Sequence, residues 1–263
     1  MLHSQKAGVA RRAAGAAGVN RETARVRAQL QALSRSAGGF DARRYFRGPI
    51  GLSFYNVGTM RMRDIARSVY RAHRADWSID DAMAFADRLV RDRYLEAKCV
   101  GVEVVARYRR DFTPPLLAAW KRWLAKDHAA NWATTDAICG ILIGPLLVMY
   151  PALAKEMRTW SRNRNLWVRR ASAVGLIALA RKGEALDVLY DVARRLHPDR
   201  ADLVQKAVGW MLREAGKPDP HRLERYLRAN GPSIPRTTVR YAIERFAPPK
   251  RQALLVVTRG PNG

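Results

Sequence analysis

The chain is short of acid, cysteine and histidine, and each shortage excludes a class of function. Of 263 residues, 23 are Asp or Glu against 48 Lys or Arg, for a formal net charge of +25 and a sequence pI near 11.2. A charge excess this large needs a polyanionic partner. The two cysteines, Cys99 and Cys139, have neither CxxC nor Cys/His zinc spacing and sit among apolar neighbours, so they read as buried free thiols of a reducing compartment. The five histidines, His3, His73, His128, His197 and His221, include no i, i+4 pair, so neither a metal site nor a cofactor is expected. The longest strongly apolar run, residues 137–149, is interrupted by Gly140, Gly144 and Pro145 and falls short of the roughly 20 residues that span a bilayer. No membrane partner is expected. No acidic residue precedes Glu22, and residues 1–21 lack the apolar core of a secretory signal. They resemble a transit peptide or basic arm, or else a disordered leader or an overlong start, and secretion is disfavoured.

What remains is a folding chain. Apolar residues make up 48%, with seven Trp and nine Tyr, far more than a disordered basic tail carries. Of the cations, 39 are Arg and 9 are Lys; Arg suits phosphate, but a GC-rich coding bias gives the same skew. From Arg25 onward the apolar spacing is helical. Ile65, Ala66, Val69 and Tyr70 form one stripe, with Arg63, Arg67, Arg71 and Arg74 elsewhere on that helix. Ser78 followed by Asp80 and Asp81 starts another helix, residues 94–110 repeat the spacing, and Pro114-Pro115 opens the next. Asn131, Pro151, Asn165, Asp199, Asp219 and Pro235 then punctuate the chain at intervals of roughly 15–20 residues. No period-2 strand pattern competes. About a dozen consecutive amphipathic helices are best satisfied as an all-α solenoid of degenerate HEAT-like repeats with a basic concave face. A compact helical bundle is the alternative. The boundaries read as a flexible basic leader over 1–24, one helical-repeat domain over 25–250 and a tail over 251–263.

Three stretches could carry chemistry. In residues 131–136, Trp132 and Asp136 lie at i, i+4, an aromatic plane beside a carboxylate that can stabilise a cation. Residues 165–173 place Arg169 and Arg170 at the head of an apolar helix, and residues 204–214 place Lys206, Trp210 and Arg213 along one helix side. Taken singly, each also reads as ordinary structure: core tryptophans, a helix-start acid and its arginine partner.

Taken in order, these segments resemble the DNA alkylation repair (AlkD-like) family of HEAT-like-repeat DNA glycosylases. The resemblance runs from about residue 42 to about residue 247. It is carried by Tyr45-Phe46, by Tyr55-Asn56-Val57-Gly58-Thr59 with the helix of residues 62–70, by Asn131-Trp132 with Asp136, by residues 166–171 and by residues 205–214. It implies that Asp136 is the catalytic aspartate, Trp132 and Trp210 the cleft tryptophans and Arg170 the cleft arginine. Arg213 matches a further family arginine, Tyr45 a tyrosine near the DNA, and Lys206 and Arg169 join the DNA contacts. Where the family often has an acid after the first tryptophan, this chain has Ala133. The implied activity is release of purines alkylated on a ring nitrogen from duplex DNA, leaving an abasic site, with the lesion read through the backbone and no base-flipping pocket. A monomer in the bacterial cytoplasm or nucleoid would suffice.

Two other readings share the basic face: a catalytically silent HEAT-like protein for branched or bent nucleic acid, and a HEAT or armadillo scaffold for an acidic peptide. The first does not predict Asp136, since an unneeded carboxylate in a phosphate-binding cleft repels the ligand.

Overall fold

The computed structural model describes residues 2–36, 46 and 51–259, with side chains from residue 15 onward. Among these residues the protein is all-α, and its one β feature is an isolated parallel bridge between Ser53 and Tyr94. The helices fall into two compact units, residues 1–113 with 126–137, and residues 114–125 with 138–263. In each, helices stack on neighbours in the chain, the packing logic of an α-solenoid.

The first unit contains α1 (Leu2–Ala32), α2 (Thr59–His73), α3 (Ile79–Val90) and α4 (Leu95–Arg107), followed by α6 (Trp132–Ile138) up to residue 137. α3 packs on α1 and α4, and α2 packs on α4. Val19, Thr23, Val26 and Leu30 give α1 a buried stripe at helical spacing. Glu22 is also buried on α1, accepting from both Nε and Nη2 of Arg25 and lying 3.4 Å from His73 Nε2. The packed body therefore begins before Arg25, inside the segment expected as a leader.

The N-cap anticipated at Ser78 is present and is one half of a capping box: its hydroxyl accepts from Asp81 N while Asp81 accepts from Ser78 N at 2.9 Å. The Tyr55–Gly58 stretch has its own logic. Asn56 sits at φ 58°, a left-handed conformation that asparagine tolerates better than most residues, and Gly58 at φ 78° caps α2. The Glu96 carboxylate accepts from the backbone N–H groups of Tyr55 at 3.0 Å and Asn56 at 2.7 Å, and Tyr55 stacks on Tyr94. One buried acid from α4 thus fixes the turn that launches α2.

The second unit contains α5 (Leu116–Ala125), α7 (Gly144–Met149), α8 (Glu156–Trp160), α9 (Leu166–Val174), α10 (Ile177–Lys182), α11 (Leu186–Leu196), α12 (Asp202–Ala215), α13 (Pro220–Asn230), α14 (Arg236–Ala242) and α15 (Pro248–Val257). α12 is its centre, packed by α9, α10, α11, α13 and α14. Two of the breaks read from sequence are helix caps: Asn165 Oδ1 accepts from Trp167 N and Val168 N, and Asp219 accepts from Arg222 N. A π-helical turn, Cys139–Ile143, precedes α7. Pro145 follows it, with no N–H to continue an α-helical ladder.

The helical run Trp132–Met149, 18 residues of mean hydropathy 1.6, is long and apolar enough to cross a membrane by length and composition, which the run read from residue 137 was not. Half of it is buried inside the protein, with Cys139, Leu142, Ile143, Leu146 and Leu147 fully enclosed. That is the burial of a core helix. Cys139 is buried as expected, whereas Cys99 is only half-buried, although desolvation still pushes its thiol up to about 12.

Candidate nucleic-acid interface

In the first unit the site residues are set by the start of α6. Asn131 caps the helix: its Oδ1 accepts from Thr134 N at 2.8 Å while its Nδ2 donates to Thr134 Oγ1 at 3.0 Å. Thr135 Oγ1 ties the helix back to Ala129 O at 2.9 Å. The preceding loop is held by Lys98, whose buried Nζ donates to Val90 O at 2.6 Å and to His128 O at 2.8 Å. Burial holds the Lys98 ammonium below the usual lysine range, partly offset by Asp92. On this anchored helix Trp132 and Asp136 stand one turn apart, both half-buried. Phe46 stacks on Trp132 with centroids 5.3 Å apart and planes at 20°, and Phe54 lies 5.5 Å from Phe46. Tyr45 lies outside the described residues.

In the second unit the candidate residues fall on α9 and α12. Arg169 donates from Nε to Asp199 at 2.6 Å and from Nη1 to the carbonyls of Asn163 and Arg164 at 3.0 and 2.7 Å. It thereby straps the loop that precedes its own helix. Arg170 is 6% exposed and donates from Nη1 to Leu203 O, which joins α9 to the first turn of α12. On α12, Lys206 pairs with Asp202 at 2.7 Å, and half-buried Trp210 follows one turn later. Arg213 pairs with Glu244, and its Nε lies 3.5 Å from Glu214. Burial alone would raise Glu214, but hydrogen bonds from Lys217 and Arg181 hold it below the usual carboxylate range. Gly209 lets α14 approach α12: a Cβ there would come within 2.4 Å of Tyr241 Cβ and 2.7 Å of Thr238 O.

The structure thus groups Trp132 with Asp136 and, separately, Arg170, Lys206, Trp210 and Arg213 on two packed helices. Sequence reasoning missed the stack of Phe46 on Trp132 and the acids that hold the cations. Asp202 was legible from its i, i+4 spacing to Lys206, whereas Asp199 and Glu244 reach their arginines across about 30 residues of chain. Among the described residues no three His, Cys, Asp or Glu side chains group to hold a metal ion.

Residues 26–246 match the family model described as DNA alkylation repair enzyme. The chain belongs to the DNA alkylation repair enzyme family. Its fold is similar to a solved structure described as a predicted DNA alkylation repair enzyme from Enterococcus faecalis, with TM-score 0.67 and 16% identity over 75% of this chain and 90% of that one. It is also similar to the crystal structure of smu.31 from Streptococcus mutans UA159, with TM-score 0.51 and 16% identity over 76% and 90% of the two chains. No curated protein matches. Family membership gives the chain a role in DNA repair and DNA as its partner, which accounts for the +25 charge.

Proposed function

We propose that residues 25–250 form a monofunctional glycosylase that hydrolyses the N-glycosidic bond of purines alkylated on a ring nitrogen in duplex DNA, acting as a monomer in the cytoplasm. One observation carries the reading: a half-buried carboxylate, Asp136, stands one turn from a half-buried indole, Trp132, on a helix pinned at its start by Asn131, Thr135 and Lys98. A binding protein gains nothing from a carboxylate fixed beside an aromatic plane, because that charge repels phosphate.

Alkylation of a ring nitrogen gives the purine a formal positive charge. When the bond to C1′ breaks, its electron pair returns to the base and neutralises it, so the leaving group needs little acid catalysis. The difficulty moves to the sugar, where positive charge develops. Asp136 stabilises that charge, an interaction that strengthens towards the transition state, and orients the water whose oxygen bonds to C1′. The water proton leaves through the carboxylate to solvent, and the products are a neutral base and an abasic site. Trp132 and Trp210 are the aromatic groups offered to the sugar cation, each contributing on the order of 0.5–2 kcal/mol of cation–π attraction. Arg170, Lys206, Arg213, Arg169 and Tyr45 take the backbone contacts. Reading the lesion through backbone and sugar removes the need for a base-flipping pocket.

The direct test is base release from an N-methylated duplex by the purified chain. Release of free methylpurine with intact strands bearing abasic sites is expected. Direct reversal of the methyl group, or binding without release, would overturn the assignment.

A further inference from the structure

Most arginine clusters of the second unit are built around a carboxylate. Arg158, Arg194 and Arg195 share Asp191, Arg181 and Lys217 share Glu214, and Arg228 and Lys250 share Glu224. In each case the acid is held below its usual range, against the effect of its burial. A group at the end of the unit is built differently. Arg236 and Arg240 lie at i, i+4 on α14, and Arg236 Nη1 donates at 3.0 Å to Thr258 Oγ1, beside Arg259. Thr258 is itself buried and fixed, its hydroxyl donating to Leu254 O at 2.6 Å.

No ion pair joins Arg236, Arg240 or Arg259 to a carboxylate among the described residues. Arg236 is half-buried while Arg240 and Arg259 are exposed. Burial first, and then the guanidiniums of Arg259 and Arg240, hold Arg236 below the usual arginine value. Three like charges gathered on a fixed scaffold repel one another, and an anion between them reverses the sign of that interaction. The group is also placed beside the candidate DNA contacts. Thr238 on α14 donates to Gln205 O on α12 at 2.9 Å, and Tyr241 lies against Gly209, next to Trp210.

We propose that Arg236, Arg240 and Arg259 form a phosphate clamp for the backbone of duplex DNA, in addition to the cations placed at the lesion. The proposal rests on the reading that this chain binds DNA. Arginine forks match phosphate oxygens two donors at a time, and three of them account for up to three phosphates. Arg259 lies beyond the segment 26–246 that carries the family match, so the clamp extends the interface past it.

The test uses the full chain and an Arg240→Ala/Arg259→Ala double variant; both side chains are exposed, so folding is unaffected. Binding to an unmodified duplex is measured across a salt series. Neutralising one phosphate contributes about −0.9 to the slope of log K against log salt, so the variant should flatten the slope by about 1.8. A slope identical to that of the parent protein overturns the clamp. If the slope is unchanged but millimolar inorganic phosphate stabilises the parent and not the variant, the occupant is a free anion and the DNA assignment is overturned. Failure of the parent chain to bind duplex at all sinks the DNA reading itself, a separate outcome.

Discussion

Arg213 on α12 is held by Glu244, 31 residues further along the chain. With Glu214 3.5 Å from its Nε, the guanidinium is already surrounded by protein carboxylates before any phosphate arrives. Glu244 is 44% exposed and therefore displaceable.

Replacing the acid should release the arginine. Glu244→Gln removes one charge that competes with phosphate, so affinity for duplex DNA should rise by about threefold to tenfold and the salt slope should steepen by about 0.9. Fluorescence anisotropy at several salt concentrations measures both. An unchanged slope means that Arg213 stays with the protein and does not contact DNA.

The Gly209 approach gives a packing prediction. Gly209→Ala forces its Cβ against Tyr241 Cβ and the Thr238 carbonyl, both fixed parts of α14, and should cost about 1–3 kcal/mol. Gly140, exposed in the π-turn with nothing within 4 Å of an added Cβ, is the control. Gly140→Ala should be neutral or stabilise by up to about 1 kcal/mol. Urea denaturation midpoints separate the two, and equal effects would contradict the packing.

His197 sets a pH dependence. It is 6% exposed, with Nδ1 3.2 Å from Ser233 Oγ and Nε2 2.7 Å from Tyr226 Oη. Ser233 donates to Asn230 O, so its oxygen accepts from Nδ1–H, leaving Nε2 to accept from Tyr226. This arrangement requires a neutral ring, and burial, then Arg194, lowers His197 from 6.5 to about 4. Below pH 6.5 the unfolded chain takes a proton that the folded chain refuses, so stability falls as pH drops from 6.5 towards 4. The loss should reach about 2 kcal/mol by pH 5. The depressed acids Glu22, Asp191, Glu214 and Glu224 act in a lower window, their contribution being lost as pH falls through their folded values. Denaturation of the parent protein and His197→Asn between pH 5 and 7 should therefore give a slope in the parent that the variant lacks. Parallel slopes would contradict the neutral ring.

How much of this was legible in the sequence depended on the range of the interaction. Ser78 with Asp81, Asn165, and Asp219 before Pro220 announce helix starts because a cap acts within three residues. Trp132 and Asp136 share a face because an α-helix makes it so. The division into two units, the π-turn at Cys139–Ile143 and the Glu96 bonds to Tyr55 and Asn56 depend on contacts that local spacing does not encode. The same holds for the arginines: their number was plain, but whether each faces a carboxylate or stands without one is settled only by folding.

The central claim, that Asp136 turns DNA binding into base excision, is tested most directly by single-turnover release of methylated purine from duplex DNA by Asp136→Asn beside the parent protein. Release should slow by at least about a hundredfold, the scale on which a preorganised electrostatic group acts, with duplex affinity kept within a few fold. Release at the parent rate by a variant that still binds duplex would contradict it.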